Sequence, residues 1–277
     1  MTYPTSNHSA APVVVFEQLT KQFRVSGNTL TVIDDLSLSI YPGELVAIVG
    51  SSGCGKSTLL RLLVGLDNHY QGQIRVDGRP VSGIGRERGI VFQEPRLFPW
   101  LTVRQNIALG LASEKLTHAD KAQRVEHFLR LVHLQEFADA LPAELSGGMA
   151  QRVAIARGLV ANPRILMLDE PFGALDALTR QQMQQELRRI HQQEGTTTLL
   201  VTHDVEEAVY LADRIVVLAP RPGRLKHLST VALPHPRLRE SDAFHQQCSE
   251  ILALLTQPDT AHAPISRVIT EHSAVTD

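Results

Sequence analysis

Hydrophobic positions in this chain come in two rhythms. Short unbroken apolar runs alternate with longer stretches whose apolar residues recur at helical spacing. The runs are "LVAIVG" at 45–50, "RGIVFQ" at 88–93, "RILMLDE" at 164–170, "TTLLVTH" at 197–203 and "RIVVLA" at 214–219. An unbroken run marks a strand covered on both faces, because neither set of alternating side chains meets water. "VVVFEQLTKQF" at 13–23 and the amphipathic "VIDDLSLSI" at 32–40 read as further strands, and "YPGE" at 41–44 as a turn. "GQIRVDGRPV" at 72–81 predicts a hairpin turning at Asp77-Gly78. Helical spacing predicts a helix at about 56–65, three or four segments over 102–161, and helices at roughly 177–193, 204–212 and 241–255.

Strands alternating with helices predict an α/β domain around a mainly parallel sheet. The helix-rich stretch at about 94–160 interrupts that alternation and reads as a subdomain. Residues 1–12 are polar with proline and are expected to be disordered. The domain proper spans 13–255, with a Pro- and Arg-rich extension from about 220, and 256–277 reads as a flexible tail.

Composition narrows the choice of partner. The chain has 277 residues, 43% of them hydrophobic, enough for a sizeable core. A formal charge of −2 offers no basic excess for nucleic acid or a lipid surface. Cys54 and Cys248 form neither a disulfide framework nor a zinc pattern, and fit a reducing compartment. The best apolar run, "STLLRLLVGL" at 57–66, is broken by Arg61 and too short to cross a bilayer. The N-terminus lacks the basic flank and apolar centre of a signal peptide. The expectation is a soluble chain that reaches a membrane only through a membrane partner.

The chemistry gathers at strand ends. "GSSGCGKST" comprises Gly50, Ser51, Ser52, Gly53, Cys54, Gly55, Lys56, Ser57 and Thr58, and fits the phosphate-loop pattern G-x-x-x-x-G-K-[ST]. A buried strand precedes it and a helix follows, so backbone N–H groups and a positive helix end face the phosphates. Lys56 supplies an ammonium to the β- and γ-phosphates, and Ser57 a hydroxyl to Mg²⁺. Asp169 and Glu170 end a buried strand, the edge where open α/β sheets bind ligands. Asp169 can hold Mg²⁺ through a water, and Glu170 can orient and deprotonate an attacking water. His203 ends another strand, within reach of a γ-phosphate. Gln93 ends a third, where its carboxamide can complete the metal shell. The glycines of "GIGRERG" at 83–89 are no dinucleotide fingerprint, since the sixth position is Arg88 and no buried strand feeds them. "LSGGMAQR" at 145–152 opens another helix with a glycine-rich turn, but has no lysine. Ser146, Gly147 and Gly148 there offer a hydroxyl, free N–H groups and a positive dipole end.

Together these motifs resemble the ATP-binding subunit of an ABC transporter. The order is phosphate loop, Gln93, "LSGGMAQR", "ILMLDEP", "GALD" at 173–176 and His203. "LSGG" just upstream of an acidic strand end is specific to that superfamily. The resemblance covers about residues 13–255. It implies the P-loop NTPase fold of an ABC ATPase cassette: a mainly parallel core sheet, an N-terminal antiparallel β region and a helical subdomain. It also implies ATP and Mg²⁺, and a head-to-tail pair in which Ser146, Gly147 and Gly148 of one copy close on ATP held by the other. Asp176 would communicate across that pair. Glu170 would be the general base and His203 the γ-phosphate sensor. Phe23 either stacks on adenine or is a plain core residue. Met149 departs from the family, which usually has Gln there.

"LFPW…NIALGL", "EPFGALDALTR", "GRERGIVFQE" and "PRPGR" are similar to the nitrate/sulfonate/taurine importer group. Aliphatic sulfonate import is the nearest match, with nitrate, taurine and thiamine-precursor import close behind. The resemblance implies two membrane-spanning permease subunits, an indirect solute-binding protein, no nucleic acid, and a peripheral place on the cytoplasmic face of the bacterial inner membrane. Trp100 then either lies near the permease or anchors the core. A P-loop kinase would lack "LSGG". A soluble ABC ATPase of DNA repair or translation tends to carry two cassettes or a long heptad insertion.

Overall fold

A computed structural model describes residues 10–257. The expectations for residues 1–9 and 258–277 lie outside the described residues. Among the described residues, two sheets are present. The larger is built from β3 (Leu45–Val49), β6 (Arg88–Val91), β7 (Ile165–Asp169), β8 (Thr197–Thr202), β9 (Arg214–Leu218) and β10 (Leu225–Thr230), in the order β10-β9-β3-β8-β7-β6. Its ladders are parallel except for β10 on β9. The smaller, antiparallel sheet has β1 (Val14–Val25), β2 (Asn28–Ile40), β4 (Gln71–Val76) and β5 (Arg79–Pro80), in the order β2-β1-β4-β5.

The unbroken apolar strands divide their side chains between two cores. Leu45, Ala47, Val49, Leu166, Leu168 and Leu200 face one core, while Val46, Ile48, Ile165, Met167, Leu199 and Val201 face the other. The period of two requires this split. The second core is closed by α1 (Lys56–Val64) and the antiparallel sheet, through Leu59, Leu62, Phe16 and Leu36. The first is closed by α2 (Val103–Ala108), α3 (His118–Leu131), α4 (Gly147–Leu159), α5 (Ala177–Glu194), α6 (Val205–Leu211) and α7 (Asp242–Thr256). Each fully buried leucine on either face contributes about 2 kcal/mol.

The hairpin at 72–81 forms with Asp77 and Gly78 both at positive φ, 48° and 74°, as an Asp-Gly turn requires. Asp77 then accepts two bonds from Arg164, at 2.7 and 3.1 Å, tying the antiparallel sheet to the start of β7. The helical segments α2, α3 and α4 lie within residues 94–160. Two side chains of α4 hold the chain that follows β6. Arg157 donates to Arg96 O and Pro95 O at 2.9 and 2.7 Å, and Gln151 Nε2 to Phe92 O at 3.4 Å.

One strand departs from the sequence reading. The extension after residue 220 contains β10, an edge strand antiparallel to β9. "LKHLST" has no unbroken apolar run, because an edge strand needs only partial cover.

Candidate functional site

The register of the parallel ladders brings the chemistry to one edge. Val49 lies opposite Thr202 and Val217, and Asp169 opposite Val201. The segments that leave β3, β7, β8 and β9 therefore emerge side by side. Gly55 stands at the N-cap of α1 with φ 103° and no capping side chain, so the first N–H groups of that helix stay available to an anion. Lys56 is buried and its ammonium donates to Gly50 O at 2.7 Å and Ser51 O at 3.2 Å. Cys54 is buried beneath the loop, and that burial pushes its thiol above the ordinary value, which suits packing rather than reactivity. A cavity of about 320 Å³ lies over the loop, lined by Ser52, Gly53, Gly55, Lys56, Ser57 and Thr58, with Glu170 on its rim.

Ser57 Oγ donates to Asp169 Oδ1 at 3.0 Å. Burial holds the Asp169 carboxyl above its ordinary value, against the Ser57 hydrogen bond, while the neighbouring Glu170 charge pushes the same way as burial. Glu170 has φ 47°, a left-handed backbone uncommon outside glycine. Its N–H donates to Val201 O at 2.9 Å, which fixes the turn. Its Oε2 lies 3.1 Å from His203 Nδ1. Gln93 lies two residues beyond β6 and is exposed, with Nε2 2.9 Å from where a Gly173 Cβ would stand. A hydroxyl and a carboxylate oxygen in contact beside a phosphate loop fit Mg²⁺, which takes oxygen ligands, few of them from protein.

The second glycine-rich turn is a separate place. Ser146 caps α4, its Oγ accepting from Met149 N at 3.3 Å. A Cβ on Gly148 would lie 2.9 Å from Thr179 Cγ2, so this glycine lets α4 approach the first turn of α5. Asp176 caps α5 by accepting from Thr179 N at 3.0 Å, and its hydrogen bonds to Thr179 hold its carboxyl below the ordinary value. Met149 packs half-buried against the core, so no polar group replaces the family's glutamine. The cavity beside Ser146 and Gly148 is about 270 Å³ and shares no lining residue with the cavity over Lys56. Within one chain the two glycine-rich turns are not brought together.

Two open readings narrow. Phe23 is 38% exposed with Lys21 Nζ 4.6 Å from its ring centre, so it is no core residue. Trp100 is 70% exposed and forms an edge-on pair with Phe98 at 5.5 Å, so it anchors no core either. Fully buried Asn106 fixes their turn, accepting from Phe98 N and donating to the carbonyls of Phe98, Leu101 and Thr102.

Sequence reasoning missed Glu207 and Arg221. Glu207 is buried behind the Glu170–His203 pair, its Oε2 accepting from Thr202 Oγ1 at 3.2 Å and its Oε1 unpaired. In "THDVEEA" nothing but helical phase separates it from the exposed Glu206. Arg221, in the "PRPGR" stretch given no role in the site, lines the cavity over the phosphate loop.

An open, mainly parallel sheet with a lysine loop entering a helix and an acidic strand end beside it defines a P-loop nucleotide-binding protein. The chain belongs to the ABC transporter family, whose model matches residues 33–173. It is 46% identical over 239 residues to an uncharacterized ABC transporter ATP-binding protein of Methanocaldococcus jannaschii, covering 86% of this chain and 90% of that protein. It is 46% identical over 240 residues to an aliphatic sulfonates import ATP-binding protein of Xanthomonas axonopodis pv. citri, covering 84% and 95%. The dimeric structure of an ATP-binding cassette in a post-hydrolysis state, bound to ADP and Pi, aligns with TM-score 0.68 at 31% identity, covering 80% of this chain and all of that one.

Proposed function

We propose that this chain is the ATP-hydrolysing subunit of an ABC importer for aliphatic sulfonates. The observation that carries the ATPase reading is one sheet edge with two paired contacts, Ser57 on Asp169 and His203 on Glu170, beside Lys56. In this reading the loop N–H groups and Lys56 hold the triphosphate. Ser57, Asp169 and Gln93 would hold Mg²⁺, which supplies charge neutralisation at the β- and γ-phosphates. Glu170 takes a proton from the attacking water as the water oxygen bonds to the γ-phosphorus. The bond to the bridging oxygen breaks, leaving ADP and phosphate. His203 keeps the Glu170 carboxylate turned toward that water. Phe23 stacks on the adenine. Ser146, Gly147, Gly148 and Asp176 complete the site from a second copy.

In this reading the exposed Phe98–Trp100 pair meets a membrane-spanning permease, and the chain sits on the cytoplasmic face of the inner membrane. No helix among the described residues is long and apolar enough to cross a membrane itself. The solute rests on relatives: sulfonate import ATP-binding proteins of Xanthomonas axonopodis and Bacillus subtilis are each 46% identical. The test is growth of a strain lacking its own sulfonate-import ATPase on an alkanesulfonate as sole sulfur source, with the cognate permease and binding protein supplied. The chain is expected to restore growth. Restored uptake of nitrate, taurine or a thiamine precursor instead would keep the ATPase reading and replace the solute. Trp100→Ala is expected to leave ATP hydrolysis by the free chain near normal and to reduce co-purification with the permease.

A further inference from the structure

The motif "PRPGR" at 220–224 takes no part in the chemistry above. Because β9 runs parallel to β3, the chain leaves β9 at the edge where β3 enters the phosphate loop. The turn that follows is clamped. Ala219 N donates to Arg224 O at 2.9 Å and closes it. Gly223 N donates to Val32 O at 2.8 Å, and Asp34 N to Gly223 O at 3.0 Å, joining it to β2. Arg224 is neutralised by an ion pair with Asp34. A Cβ on Gly223 would stand 2.0 Å from Cys54 O, so the turn lies directly on the phosphate-loop backbone.

That clamp places Arg221 over the loop. Its Nε donates to Gly53 O at 3.3 Å, its only hydrogen bond among the described residues. Its side chain is exposed and lines the same cavity as Ser52, Lys56 and Thr58. Unlike Arg224, it has no carboxylate partner among the described residues. A guanidinium carries five N–H donors in a fork that matches phosphate oxygens, and one contact leaves most of them unused. A cation on a cavity wall with no ion pair among the described residues raises the local potential for a polyanion, against the Glu170 carboxyl that lines the same cavity.

We propose that Arg221 is a second phosphate-binding cation of the nucleotide site, donating to the polyphosphate of the nucleotide held over Lys56. The 219–224 turn is the arm that delivers it. The proposal rests on the nucleotide-site reading above and adds a residue and an element to it. It also explains a turn anchored at once to β2 and to the phosphate loop, since binding then ties both sheets together.

The test is nucleotide titration of the full chain by calorimetry, with Lys56→Ala as the control. Arg221→Ala is expected to weaken MgATP binding about tenfold or more, the size of a lost charge-assisted contact. The loss should shrink for ADP and vanish for adenosine, with the melting temperature unchanged. Arg221→Lys should recover part of the affinity and Arg221→Gln none. Wild-type ATP affinity in Arg221→Ala, alongside a clear loss in Lys56→Ala, overturns the inference and leaves the site reading standing. Full rescue by Arg221→Gln, or equal losses for ATP and adenosine, reduces Arg221 to a neutral strut beneath Gly53 and overturns it too. Wild-type affinity in Lys56→Ala instead removes the nucleotide-site reading on which it rests.

Discussion

Glu170 and Glu207 sit at one sheet edge with opposite physical states. Glu170 is partly exposed and turned toward His203, so its carboxylate can meet a water. Glu170→Gln keeps the shape and removes the proposed base. Its ATPase rate should fall by about 10²-fold or more while ATP binding is kept, and near-normal turnover in a phosphate-release assay would take Glu170 out of the mechanism. Glu207 is enclosed, and burial, aided by the Asp204 and Glu170 charges and opposed by Thr202 and Arg180, pushes its carboxyl up to about 8 from an ordinary 4.5. The folded chain thus keeps a proton that the unfolded chain releases. Its contribution is full below the unfolded value and is lost as pH rises from there toward the folded one. Glu207→Gln is neutral at every pH. Between pH 5 and 8 its melting temperature should drop less than that of the unsubstituted chain. Parallel melting curves across that window would show that Glu207 ionises freely in the fold.

At the level of elements, the turn that ends α1 shows what backbone geometry demands. Gly65 has φ 86°, its N–H bonds to Leu62 O, and Leu66 N bonds back to Arg61 O. A Cβ there would also stand 2.0 Å from Gly83 O. Gly195 ends α5 at φ 63° with open space around it. Gly65→Ala should cost about 3 kcal/mol, or roughly 6–12 °C in melting temperature, and Gly195→Ala about 1 kcal/mol. Equal losses in calorimetry would mean that dihedral strain, not the Gly83 carbonyl, dominates both. Such elements were legible where one local rule suffices. β3, β7, β8 and β9 were visible because strands covered on both faces need unbroken apolar runs. The phosphate loop and the acidic strand end were visible because their chemistry is contiguous in sequence. β10 was hidden because an edge strand is only partly covered and so carries no unbroken apolar run. Arg221 was hidden because its place depends on the register of β9 against β3.

The molecule as a whole keeps its two glycine-rich turns apart. Lys56, Ser57, Asp169, Glu170 and His203 share one edge, while Ser146 and Gly148 line a cavity that includes none of them. The helix start at Ser146 presents N–H groups without a lysine of its own, which suits an anion already held elsewhere. In the proposed head-to-tail pair a second copy would bring these two places together, and two such contacts would form at once under two-fold symmetry. Met149 packs against its own core, so in that proposed pair trans recognition would fall on Ser146 and the backbone of the two glycines. Ser146→Arg puts a long cation where the partner's nucleotide must approach. The single chain should still bind ATP with ordinary affinity, because its own loop is untouched. On a Glu170→Gln background, expected to hold ATP unhydrolysed, the unsubstituted turn at 145–152 should give an ATP-dependent dimer in sedimentation velocity, and the Ser146→Arg form should stay monomeric with ATP bound. An ATP-dependent dimer of undiminished strength in the arginine variant would place the partner's nucleotide away from this helix start and break the head-to-tail arrangement.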